Sequence, residues 1–132
     1  MSAPMMQVTL EVRDGADVQE VPYAPTDGEL ERALSRLNGI DATIVTLELG
    51  DKKLFVGGGP DVFNVVLWLE DDVIYDLVGD ASVPGERNLV MGGQLTPVPL
   101  RHCVSFDRAK AAALEFIRTG SVRISPAWEN QH

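Results

Sequence analysis

Few side chains in this 132-residue sequence are suited to covalent chemistry. His102-Cys103 offers a thiol beside an imidazole, the pair from which a base-activated nucleophile is built. Neighbours on a strand point to opposite faces, so the two cannot hydrogen-bond each other there. His102 falls in phase with Val98, Leu100 and Val104 and reads as a core or half-buried histidine. Cys103 reads as a small packing or surface residue. The second histidine is the final residue, His132, so a His-based triad or a metal cage is poorly supplied.

Two glycine clusters suggest other chemistry. Gly57-Gly58-Gly59 invites a phosphate-loop reading, but such a loop needs Lys and Ser/Thr after its last glycine and a helix to follow. Here Pro60-Asp61 and a strand follow, so the cluster reads as a flexible connection. Gly92-Gly93-Gln94 matches the tripeptide with which peptide-release factors hydrolyse peptidyl-tRNA. Those factors bind RNA through a basic surface. This chain carries 20 Asp and Glu against 11 Lys and Arg, a formal charge of −9. The tripeptide therefore reads as a bulge or turn.

The acidic residues carry more weight. Six lie between Asp61 and Asp80, and no basic residue lies among them. The candidate partner-binding set is Glu70, Asp71, Asp72, Asp76 and Asp80, with Glu86 and Arg87 on the following loop. An EF-hand spacing is absent, and neither metal nor cofactor is expected. General acid–base work would need a pocket and an electrophile-binding group, and neither is visible; no catalytic residue is assigned. What remains is a one-signed patch at a hairpin tip, suited to a cationic protein surface. The alternative is a solvated turn that guards against edge aggregation. Trp68 or Tyr75 would supply an aromatic anchor if exposed, though each also fits a core position.

The elements that position these residues follow from pattern. Gln7 to Arg13 alternates as a strand, and Asp14 to Pro25, with Gly15, Pro22 and Pro25, reads as a loop. Thr26-x-x-Glu29 is a capping box opening a helix through Leu30, Ala33, Leu34 and Leu37, stopped by Asn38-Gly39. Ala42 to Leu49 and Lys52 to Val56 flank the hairpin signal Gly50-Asp51. Val62 to Leu69 is almost wholly apolar and should sit centrally, covered at least in part on both faces. Glu70-Asp71-Asp72 makes a polar turn before a strand over Val73 to Val78. Further strands are read at Arg87 to Met91 and Val98 to Val104, the latter pushed towards an edge by Pro97 and Pro99. Ser105 caps a second helix with Ala109, Ala113, Phe116 and Ile117 as its apolar stripe, ended by Thr119-Gly120. In the tail, Trp128 is the one anchor. Helices are not interleaved with strands, so the fold class is α+β, with a mainly antiparallel sheet of about five to seven strands and two main helices packed on it.

The chain is long enough for a single domain with its own core, and residues 1–6 and 129–132 are expected to be flexible ends. One cysteine excludes a disulfide framework. The longest uncharged run, Asn88 to Leu100, is 13 residues and contains two Gly and two Pro, too short and broken for a membrane span. The first ten residues lack a secretory signal, so the cytoplasm is the expected location. The charge disfavours nucleic acid and anionic membranes as direct partners.

Gly85-Glu86, Leu89, Gly92-Gly93-Gln94, a Pro-containing strand, an Ala-rich helix ending Phe116-x-x-x-Gly120, and Pro126-x-Trp128-Glu129 occur in an order that resembles the first-numbered immunity-protein family of bacterial polymorphic toxin systems. Leu30-x-x-Ala33-Leu34-x-x-Leu37, Val45-x-Leu47, Gly50-Asp51 and Leu54-x-Val56-Gly57-Gly58-Gly59 extend the resemblance to residues 26–130. It implies a small cytoplasmic protein that binds the catalytic domain of a cognate toxin, one-to-one, and blocks it. Family members often neighbour nucleic-acid deaminase toxins, which would present a basic surface to an acidic inhibitor. The chain itself lacks the H-x-E and P-C-x-x-C zinc signature of such deaminases. Two other readings stay open: a small enzyme or ligand-binding protein with a pocket holding His102, Gln94 or Cys103, and a general protein-interaction module.

Overall fold

The structure, a computed structural model, describes residues 5–125 and 127–131. Residues 1–4, Pro126 of the Pro126-x-Trp128 motif and His132 lie outside the described residues. Nine strands and two helices run in the order β1 (Gln7–Asp14), β2 (Asp17–Tyr23), α1 (Asp27–Ser35), β3 (Ala42–Leu49), β4 (Lys52–Gly58), β5 (Phe63–Trp68), β6 (Ile74–Leu77), β7 (Glu86–Met91), β8 (Gln94–Pro99), α2 (Phe106–Thr119) and β9 (Trp128–Asn130). Seven strands form one antiparallel sheet in the order β2-β1-β3-β4-β5-β6-β9, and β7 and β8 form a separate hairpin. The class is α+β, as the sequence predicts.

One face of the large sheet is the core. Leu10, Val45, Leu47, Leu54, Val56, Val65 and Leu67 are fully buried at alternate strand positions, which puts them on a single side. The apolar stripes of α1 (Leu30, Ala33, Leu34) and α2 (Ala109, Ala113, Phe116) close over them. Thr26 Oγ1 accepts from the Glu29 N–H, and Ser105 Oγ from the Arg108 N–H, so both helices begin where the capping residues dictate. α1 ends at Ser35, short of the expected Asn38-Gly39 stop. Asn38 instead organises the following loop, its Oδ1 accepting from the N–H groups of Ile40, Asp41 and Ala42.

Four local readings change. Asp17 to Tyr23, taken as loop, is the edge strand β2; Pro22 is tolerated because an edge strand has one unpaired side. Gly57 and Gly58 do not break the chain but continue β4. There Met91 lies against Gly57, where an added Cβ would come 2.6 Å from its sulfur. The strand read at 98–104 is β8 at Gln94–Pro99, followed by a 3-10 turn over Leu100–His102. Gly92 and Gly93 both take positive φ, 60° and 77°, forming a two-residue turn after which pairing resumes at once. Finally, the tail adds strand β9, pairing Leu77 with Trp128 and Asp76 with Glu129.

The second face of the sheet carries no helix. The β7–β8 hairpin covers one end of it, Met91 over Gly57 and Leu89 against Gly58. Arg13 Nη2 donates to the Gly92 carbonyl at 2.7 Å and the Gly93 N–H donates to Thr43 Oγ1 at 3.0 Å, tying down the hairpin tip. Beyond this cover, β5 is half open: Asn64 is buried, Val66 is intermediate and Trp68 is 40% exposed.

Candidate functional site

The acidic candidates fall into three places. Glu70, Asp71 and Asp72 form the β5–β6 turn and are exposed. Asp71 and Asp72 sit at φ 61° and 58°, a left-handed conformation that Asp adopts more readily than most side chains. The β3–β4 turn brings Asp51 beside them, and together with Glu48, Lys53 and Trp68 they line an open concavity of about 500 Å3. Lys53, its one cation, is engaged by Glu48 at 3.3 Å. Among the described residues no ion pair holds Asp51, Glu70, Asp71 or Asp72. Trp68 leans edge-to-face on Phe55, centroids 5.8 Å apart, and leaves its remaining surface to solvent.

Asp76 is elsewhere. It was grouped with the exposed hairpin tip, but it is only 6% exposed and faces the helix-free side of β6. Its carboxylate accepts from Gln131 Nε2 at 2.7 Å and Asn64 Nδ2 at 3.4 Å. The 3-10 turn after β8 brings His102 above it, Nδ1 3.9 Å from Asp76. On the other side, His102 Nε2 lies 3.3 Å from Glu129, yet at an angle that makes no hydrogen bond. Glu129 accepts from Arg101 Nε and Nη2 at 3.2 and 3.1 Å, and this guanidinium holds its carboxyl below the usual glutamate range. These residues line a second concavity, about 470 Å3, between the sheet and the β7–β8 hairpin.

Asp80, Glu86 and Arg87 lie past the other end of β6 and are exposed. Eight residues of chain separate Asp72 from Asp80, up to about 26 Å if extended. The Ser82 N–H and hydroxyl donate to Asp80 at 3.0 and 2.7 Å and hold its carboxyl below its ordinary value. The structure therefore divides the seven candidates into an exposed acidic turn, a buried carboxylate and a distant exposed group.

The chemistry suggested by the short motifs does not assemble. Cys103 Sγ approaches the Pro99 carbonyl at 3.6 Å, and burial pushes its thiol up, away from the thiolate a nucleophile needs. The concavity beside His102 includes neither Cys103 nor Gln94, and Gln94 is exposed at the start of β8. Among the described residues, no three His, Cys, Asp or Glu side chains are grouped to hold a metal ion. Sequence reasoning missed Asp51, Asn64, Arg101, Glu129 and Gln131. The Gly50-Asp51 turn signal could have located the first; the others depend on β9 and on the 3-10 turn, which have no local signature.

No curated protein matches the chain. The family described as immunity protein Imm1 matches residues 19–130, from β2 through β9. That span covers the sheet from edge to edge, both helices and the hairpin on the open face, so the chain belongs to the Imm1 family of immunity proteins.

Proposed function

We propose that this protein neutralises the catalytic domain of a cognate bacterial toxin by binding it one-to-one and covering its active site, with no catalysis of its own. The family match over residues 19–130 carries this reading. The toxin acts on nucleic acid, as a deaminase-type enzyme, and so presents a positive surface to its phosphate-bearing substrate. Two features support the match in charge: the formal charge of −9, and an exposed turn of three consecutive carboxylates that lacks an ion-pair partner. An opposite field speeds encounter and disfavours wrong partners. Protection takes place in the cytoplasm, where the toxin's target lies. Among the described residues no helix is long and apolar enough to cross a membrane.

Co-expression tests the reading. The toxin catalytic domain encoded beside this gene should arrest growth, and this chain should restore it. Growth arrest that persists despite soluble expression of both would count against it.

A further inference from the structure

We infer that the helix-free face of the sheet is a docking groove for a basic segment of the partner. One cationic side chain would sit between Trp68 and the Glu70–Asp72 turn, and an arginine would reach Asp76 and Glu129 at the other end. The inference rests on the toxin-binding reading and names where on this chain the contact is made.

The groove is continuous. The acidic concavity at the β5–β6 turn shares Trp68 with a small apolar hollow of about 190 Å3 floored by Phe55, Val66 and Met91. That hollow shares Asn64, Val66 and Met91 with the concavity at His102. Trp68 and Asn64 are four residues apart on β5, so the floor runs about 13 Å along the strand. Its middle is apolar and both ends are acidic, a pattern that an apolar side chain flanked by two basic ones complements.

Each end has its own chemical reason. At the outer end, a 40% exposed tryptophan beside three exposed carboxylates without ion pairs offers a ring face and a counter-charge to one cation. At the inner end, His102 is 7% exposed and its Nε2 has no hydrogen-bond partner among the described residues. Buried polar atoms are almost always satisfied. The neighbouring Asp76 is served by two neutral amides. A guanidinium brings five N–H donors in a planar fork. It can give one to a neutral imidazole nitrogen and others to the carboxylates, which a compact ammonium does less well.

The test uses the catalytically inactive toxin domain encoded beside this gene. Trp68→Ala and Asp76→Asn should each weaken binding at least tenfold, with circular dichroism unchanged, while Glu31→Gln on α1 binds as the parent. Hydroxyl-radical labelling of the parent complex should protect Trp68 and Met91. A complex that forms with parent affinity in both variants, and leaves Trp68 and Met91 as reactive as in the free protein, overturns the groove but not toxin binding. No complex with the parent chain overturns both. If a variant fails to fold, the labelling pattern of the parent decides.

Discussion

Neutralising the β5–β6 turn should slow capture of a basic partner by an amount set by salt. The perturbation is Glu70→Gln with Asp71→Asn and Asp72→Asn, which takes the formal charge from −9 to −6. Asparagine is chosen because positions 71 and 72 hold φ of 61° and 58°, where Asn is as well tolerated as Asp and Lys would add strain. The three side chains are exposed, so water screens them almost fully. A carboxylate about 7 Å from a partner cation in water contributes a factor of about 3, and three multiply to about 20. At 0.15 M salt, with a Debye length of about 8 Å, the product falls to about 3 to 4. Stopped-flow association with the toxin domain should show the larger ratio at low ionic strength and the smaller at physiological salt. Dissociation should change little, because rim charges act mainly on encounter. Association rates equal to the parent's at both salt concentrations would refute the assignment of this turn to the interface.

Three further outcomes follow from packing and charge. Gly57→Ala places a Cβ 2.6 Å from Met91 Sδ and 3.1 Å from Met91 Cβ. It should cost about 1–3 kcal/mol as overpacking, and Met91→Ala in the same chain should recover part of that loss in thermal melts. Arg101→Gln removes the guanidinium that lowers the Glu129 carboxyl below its ordinary value. A carboxylate lowered in the folded state adds stability above its unfolded pKa, about 4.3 for Glu. The parent should therefore be more stable than Arg101→Gln near neutral pH, and their melting temperatures should converge as pH falls below that value. Cys103, whose thiol is raised by burial, should react with a thiol-disulfide reagent far more slowly at pH 7.5 in the folded protein than in denaturant.

The legible parts of the sequence were those that act locally. Thr26 and Ser105 mark helix starts because a capping oxygen needs only the next turn. Gly50-Asp51 marks a hairpin because strands on both sides alternate. β2 escaped because an edge strand covered on neither face has no apolar alternation to display; five of its seven residues are exposed. β8 was displaced because Pro97 and Pro99 outweighed the Gly92-Gly93 turn, though both prolines pair on a strand with a free edge. The acidic turn was legible as charge. The burial of Asp76 was not: period-two alternation assigns it a face, but β9 and the 3-10 turn, which come from distant sequence, cover that face. The uncovered stretch at Trp68 depends likewise on how far the β7–β8 hairpin reaches.

The most direct measurement is a titration of the toxin domain's own activity with the purified chain, at a toxin concentration well above the dissociation constant. The account predicts a linear fall to zero at one equivalent, with no product made by the chain alone. Full activity in the presence of a several-fold excess of folded chain would contradict it.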